Sequence, residues 1–323
     1  MTGETLADQV IAGDVGALAR AITILENRTS GYRELAGQLH RVDRQARTIG
    51  ITGSPGTGKS TLVNQLITAY RDRDLTVGVV GVDPTSPFSG GAILGDRVRM
   101  DAARGDSGVF IRSLSTRGAL GGLSPAVDDV LTAYEAFGMD RLLVETVGTG
   151  QNEVDIVRAT DTVAVVVQPG HGDDVQLLKA GIAEIADVFV VNKADLDHAD
   201  RTIQQLTQMI SESSSLESGT NTWEPPIVET VAIEGDGIDG LLDQIDNHRR
   251  HLEKTDGLEA RRRDRYAGQL RRIIQADLTR RIQADLETDA AGLLGAVVRR
   301  ECDPYDAADE LLDRVTVRES GTR

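Results

Sequence analysis

Residues 53–61 read Gly53-Ser54-Pro55-Gly56-Thr57-Gly58-Lys59-Ser60-Thr61, a complete GxxxxGKS spacing between the apolar run RTIGIT and the amphipathic stretch TLVNQLITAY. Glycines at these places let the backbone wrap, so that successive N–H groups and the N-terminus of the following helix face one phosphate group. Lys59 is then placed to reach the outer phosphates, and Ser60 supplies a hydroxyl oxygen suited to Mg²⁺. A glycine-rich turn without a ligand is the plainer alternative. Strand, loop and helix occur in the order a phosphate loop requires, and this favours nucleotide binding.

A second group of polar residues, Asn192-Lys193-Ala194-Asp195, closes the apolar run DVFVV. An Asp carboxylate there can accept hydrogens from the ring N–H and exocyclic amine of guanine. Adenine offers neither donor in that pattern, and a site built on such bonds rejects the wrong partner by roughly 10⁴–10⁵-fold. Alone, the tetrapeptide could be a capped helix start. Downstream of a phosphate loop it predicts guanine specificity. A further base-contacting loop is expected after the last strand, at Val231-Ala232.

Acids at strand ends come third. Asp83 closes TVGVVGV, Asp96 lies at the end of the glycine-rich stretch PTSPFSGGAILGD, and Glu145 closes RLLVE ahead of Gly148. Carboxylates beside a phosphate loop can hold Mg²⁺ directly or through water, and a glycine three residues beyond offers an N–H to a γ-phosphate. The plainer reading of each acid is a turn or helix cap. No glutamine follows Gly148 directly; Gln151 is the nearest. Slow intrinsic hydrolysis is therefore expected, with Arg97, Arg99 and Arg117 as candidate transition-state cations.

The elements that must position these groups follow from periodicity. Up to about residue 45 the apolar spacing is helical (Leu18, Ile22, Leu25, then Leu35 and Leu39), which predicts two or three helices. From residue 47, seven short β-branched runs alternate with helical stretches, predicting a mainly parallel sheet covered on both faces. Residues 211–226, SESSSLESGTNTWEPP, read as a polar surface loop before the last strand. Beyond about 246, Leu258, Tyr266, Leu270, Ile273, Ile274, Leu278, Ile282 and Leu286 mark one side of a long helix, which Gly292 and Gly295 interrupt before a short helix opened by Pro304. Boundaries at 1–45, 46–246 and 247–323 separate a helical extension, a nucleotide domain and a helical arm.

Composition sets the limits. The 323 residues carry 51 Asp and Glu against 35 Lys and Arg, a net charge of −16, so nucleic acid and anionic membranes are not expected partners. Only four lysines occur, two of them Lys59 and Lys193, and this Asp-rich balance would suit solubility in high salt. One cysteine, Cys302, excludes an intrachain disulfide. The start has neither a basic n-region nor an apolar h-region, so a cytoplasmic location is expected.

Taken together, GSPGTGKS, VGVDPTSPFSGGAILGDRVRM, STRGALGGLS, ETVGTGQNE, PGHGDDVQLLKAGI, NKAD and DPYDAADELL resemble the MeaB/ArgK-like GTPases, the methylmalonyl-CoA-mutase-associated G proteins of the SIMIBI class. The resemblance spans nearly the whole chain and implies a P-loop NTPase fold of the α/β class with helical extensions at both ends. It implies GTP/GDP and Mg²⁺ as ligands, with Lys59, Ser60, Asp83, Asp96 and Glu145 on phosphate and magnesium positions and Asn192, Lys193 and Asp195 on guanine positions. Residues 172–179, ending in Lys179, look like an additional switch. Val231-Ala232 stands where the family usually has Ser-Ala. The implied function is to gate adenosylcobalamin loading into methylmalonyl-CoA mutase and to protect or reactivate it, as a homodimer joined through the stripe from Leu258 to Leu286.

Two other functions share these motifs. A metal-insertion GTPase commonly carries His-rich tails or Cys motifs. Here the five histidines are scattered, and His248 and His251 read as surface residues on one helix face. A kinase passing the γ-phosphate to an acceptor would need a pocket and a base that the sequence does not place.

Overall fold

The computed structural model describes residues 4–83, 105–115, 125–146, 156, 159–170, 183–214, 223–288 and 291–317. The chain divides into two compact units, Met1–Arg265 and Tyr266–Arg323.

The first unit is built on seven parallel strands: β1 (Arg47–Gly53), β2 (Val77–Asp83), β3 (Val109–Ser115), β4 (Arg141–Thr146), β5 (Thr162–Val167), β6 (Val188–Asn192) and β7 (Ile227–Thr230). Their order across the sheet is β3-β2-β4-β1-β5-β6-β7. The apolar runs are continuous because both faces are covered, and successive residues feed opposite cores. Thus Val163, Val165 and Val167 of β5 join one cluster, and Ala164 and Val166 join the other. The same alternation divides Phe189 and Val191 from Val188 and Val190 in β6.

Helices α1 (Leu6–Ile11), α2 (Val15–Asn27) and α3 (Tyr32–His40) form the predicted preamble. Their buried Leu18, Ile22, Leu25, Leu35 and Leu39 share the first core with Val127, Leu131 and Tyr134 of α5 (Pro125–Phe137). Asp14 caps α2 by accepting from the Ala17 N–H at 2.6 Å. On the other face α4 (Lys59–Arg71) supplies Leu62, Val63, Leu66 and Ile67.

Residues 211–226 depart from the loop reading at their start. Helix α6 (Ala199–Ser214) continues through Ser211–Ser214, where Ser211 Oγ donates to Thr207 O at 2.9 Å and Gln208 Nε2 to Glu212 Oε1 at 2.8 Å. The Ser211 hydroxyl thus spends its hydrogen on the preceding turn while the helix runs on. Residues 215–222 lie outside the described residues.

Helix α7 (Ile238–Lys254) follows β7 and corrects the surface reading of His248, which is 1 % exposed. Its Nε2 lies 3.3 Å from Asp187 Oδ1, and its Nδ1 lies 2.9 Å from Thr162 Oγ1. A carboxylate only accepts, so the geometry suits a neutral ring with its hydrogen on Nε2 and with Nδ1 accepting from Thr162. Asp187 also receives two bonds from Arg261, at 2.7 and 2.5 Å, and one from the Val163 N–H at 2.8 Å. Asp161 pairs with Arg249 at 3.0 Å and lies 4.0 Å from Arg265. These two acids stand just before β6 and β5, at the amino edge of the sheet. Trp223 packs beside Asp187 and the histidines: its indole N–H donates to Asp187 O at 2.8 Å, and its ring lies 4.9 Å from His248 and 5.3 Å from His251.

Arg261 and Arg265 belong to the first turns of the predicted long helix, α8 (Gly257–Thr288), most of which lies in the second unit. That unit continues with α9 (Ala291–Val298) and α10 (Pro304–Val317). Gly292 and Gly295 do not break a helix as expected; both lie inside α9, and residues 289–290 lie outside the described residues. Asp303 caps α10 by accepting from the N–H groups of Tyr305 and Asp306, at 2.7 and 3.0 Å. Among the described residues no helix is long and apolar enough to cross a membrane.

Candidate functional site

The carboxyl edge of the sheet gathers those of the predicted residues that the structure describes. β1 ends at Gly53, whose φ of 139° and whose approach to β5 both demand glycine: a Cβ there would stand 2.0 Å from Val166 O. The loop then turns through Ser54, Pro55, Gly56 and Thr57, with Thr57 Oγ1 donating to Ser54 O at 2.9 Å. Gly58, at φ 90°, begins α4 without any side-chain cap. The first N–H groups of α4 therefore face the loop unspent by a cap, the arrangement that accepts an anion. Ser60 and Thr61 follow in its first turn.

Lys59 is 7 % exposed and lies across the loop, its Nζ donating to Gly53 O at 2.7 Å and Ser54 O at 2.9 Å. The ammonium is thus held beside the amides that would surround a phosphate, and can neutralise charge there. Ser60 Oγ donates to Glu145 Oε1 at 2.6 Å, joining residues 85 apart in sequence. Register explains the meeting. Ile51 of β1 pairs with Glu145 of β4, which brings the acid alongside the start of the loop. Glu145 is 2 % exposed. A hydroxyl oxygen and a carboxylate, brought together at a phosphate loop, are the hard donors Mg²⁺ prefers, so these residues fit that ion.

On the other side of the loop, Asn192 works as a brace. Its Nδ2 donates to Thr57 O at 2.7 Å, while its Oδ1 accepts from Thr230 Oγ1 and from the Ala232 N–H, each at 3.1 Å. One amide therefore locks phosphate loop, β6 and the loop after β7 together. Gly58 is part of the same fit, since a Cβ there would lie 2.4 Å from Asn192 Nδ2. Lys193 adopts the left-handed φ of 59°, and its Nζ donates to Gly56 O at 2.8 Å and to Gln168 Oε1 at 2.7 Å. Asp195 is exposed at the same edge. Val231 and Ala232 lie in the turn after β7, with Val231 N donating to Asp236 O at 3.1 Å.

Asp83 ends β2 at this edge, and its side chain lies outside the described residues. So do Asp96, Gly148, Gln151, Arg97, Arg99, Arg117 and the segment 172–179 with Lys179. The sequence reading missed Gln168, 6 % exposed at the end of β5, and the Thr146–Thr52 hydroxyl bond of 2.9 Å between β4 and β1. Gln168 carried the signal used for Asp83 and Glu145, a polar residue closing an apolar run at the ligand edge.

A seven-stranded parallel sheet with a GKS loop opening its first covering helix defines a P-loop NTPase. The chain belongs to the family described as methylmalonyl Co-A mutase-associated GTPase MeaB, whose model matches residues 18–287. It is a GTPase that binds guanine nucleotides. A Pyrococcus horikoshii protein named as a GTPase is 44% identical over 98% of this chain and 99% of its own. The Escherichia coli GTPase ArgK is 33% identical over 86% of this chain and 85% of its own. The crystal structure of an LAO/AO transport system kinase has the same fold, with a TM-score of 0.69 at 24% identity and 96% of each chain covered.

Proposed function

We propose that the protein is a regulatory G protein that acts on an adenosylcobalamin-dependent methylmalonyl-CoA mutase, gating cofactor loading and protecting or reactivating that enzyme. The observation that carries the proposal is membership, over residues 18–287, of a family described by its association with this mutase.

In this reading the amides of residues 53–61 and the Lys59 ammonium hold the β- and γ-phosphates. Ser60 and Glu145, with Asp83 and Asp96, hold Mg²⁺. The ion, when bound, offsets charge that develops on the phosphates. Gly148 offers its N–H to the γ-phosphate. Asp195 reads the guanine ring N–H and amine, Lys193 lies along the base, Asn192 braces the loops, and Val231-Ala232 lines the edge of the base. Residues 1–45 form a helical extension, 46–246 the nucleotide domain and 247–323 a dimerisation arm, in a protein that works in the cytoplasm apart from membranes and nucleic acid. Tyr266, Leu270, Ile273 and Ile274, exposed on α8, supply the apolar surface for such a dimer.

The test is co-precipitation with the mutase of the same organism, with GDP and with a non-hydrolysable GTP analogue, together with cofactor uptake by the mutase. Nucleotide-dependent association or uptake is expected; independence of both from nucleotide would overturn the proposal. Incubation with γ-labelled GTP separates it from kinase action, since label should leave as free phosphate rather than move to an acceptor.

A further inference from the structure

Lys193 spans the distance from the end of β6 back to the phosphate loop with its four-carbon stem. Its ammonium is fixed by two neutral oxygens, one a loop carbonyl (Gly56 O, 2.8 Å) and the other the buried side chain of Gln168 (Oε1, 2.7 Å). The backbone at Lys193 is also constrained. It holds a left-handed φ that a side-chain-bearing residue adopts only under local support, here from the Ala194 N–H donating to Thr230 O at 3.1 Å. Stem and backbone together define one line across the ligand edge, beside Asp195. A lysine left to wander would lose its rotamer freedom when a ligand packed on its stem.

We infer that Gln168 is a positioning residue for guanine-nucleotide binding: it holds the Lys193 stem in place before the nucleotide arrives. This rests on the reading of Lys193 and Asp195 as base-contacting residues. A fixed stem presents its methylenes as a flat apolar strip on which a purine face can pack, with the ordering cost already met in folding. The contribution belongs to the base side of the ligand. It is therefore shared by GDP and GTP, unlike that of a group touching the γ-phosphate. Gln168 acts through Lys193 rather than by touching the nucleotide.

The experiment measures GDP and GTP affinity by titration for the wild type, Gln168→Leu, Gln168→Glu, Lys193→Ala and the Gln168→Leu/Lys193→Ala double variant. Gln168→Leu keeps the bulk and removes the acceptor, and is expected to weaken both nucleotides by the same factor, roughly 10-fold, as for a hydrogen bond to a charged group. Gln168→Glu keeps an acceptor for the ammonium and should recover most of that loss. In the Lys193→Ala background Gln168→Leu should cost nothing further, an outcome that a general loosening of β5 would not give. Binding by Gln168→Leu within twofold of wild type would overturn the inference, as would a penalty that persists in full without Lys193. Asp195→Asn, titrated with guanine and xanthine nucleotides, separates the two levels. If it shifts preference to xanthine while the Gln168 cycle fails, only the positioning role falls; if it leaves guanine preferred, the underlying reading falls with it.

Discussion

At the residue scale the site depends on a few side chains doing bracing work beside those that would touch the ligand. Lys59 rests on the carbonyls of Gly53 and Ser54, so its charge is placed by the loop it serves. Lys59→Ala should raise the dissociation constant for GTP at least 10-fold and that for GDP by less, read by titration calorimetry, because the lysine is matched to the outer phosphates. Glu145→Gln keeps the acceptor for Ser60 Oγ but removes the charge. It should lower kcat by about 10²-fold in millimolar magnesium, while leaving GDP affinity in a chelator within a few-fold of wild type. Equal losses with and without magnesium would remove Glu145 from the ion's shell. The phosphate loop and NKAD were legible in the sequence because each is a local string whose order alone carries the chemistry. The Ser60–Glu145 contact was only half legible: both residues could be named, but their meeting depends on the Ile51–Glu145 register, which is tertiary. Gln168 closes an apolar run as Asp83 and Glu145 do, but its partner Lys193, like the brace made by Asn192, was not legible, since an amide's contacts have no pattern until the strands stand side by side.

Among elements, the amino edge of the sheet is the least expected part of the molecule. Helical spacing placed His248 on a face of α7 but could not say what that face meets, and polarity argued for solvent. In the fold the ring sits against Asp187 and Thr162, and Asp161, Arg261 and His251 also face it. Burial outweighs the nearby carboxylates and draws the imidazole from its ordinary 6.5 down to about 4. The unfolded chain therefore takes up this proton first as pH falls. The stability contributed by the neutral ring is complete above about pH 6.5 and is lost progressively toward pH 4. Asp129 opposes it: burial lifts its carboxyl to about 6, so the unfolded chain releases that proton first and stability falls as pH rises from about 4 to 6. The informative quantity is thus a difference. The pH dependence of urea unfolding for His248→Gln, subtracted from that of wild type between pH 4 and 6.5, should leave a positive slope belonging to the histidine. A difference independent of pH would refute the assignment. Asp187→Ala should cost about 3–5 kcal/mol by chemical denaturation, since it takes the carboxylate from Arg261, which is left with the Asp161 carbonyl, and the acceptor from the Val163 N–H.

For the molecule as a whole, a net charge of −16 on 323 residues makes self-repulsion a standing load on the folded state. Raising sodium chloride from about 0.1 to 1 M shortens the screening length from about 10 to 3 Å, so the melting temperature should rise with salt. A fall would mean that the surface ion pairs outweigh the excess charge. In the second unit, Leu270 and Ile274 lie one turn apart, both exposed. Replacing both with glutamate should halve the sedimenting mass if the arm joins two copies, leaving GDP binding intact. The overall plan, helices before and after a parallel sheet, was readable because long periodic segments state their own class. The exact stops were not: α6 runs on through its serines, and α9 contains both glycines. The single tryptophan lends this architecture a built-in optical probe. Trp223 lies over two imidazoles at the edge opposite the phosphate loop, so its fluorescence should dim as His248 gains a proton. A label-free emission trace recorded during GTP turnover would then reveal whether chemistry at one rim of the sheet is felt at the other.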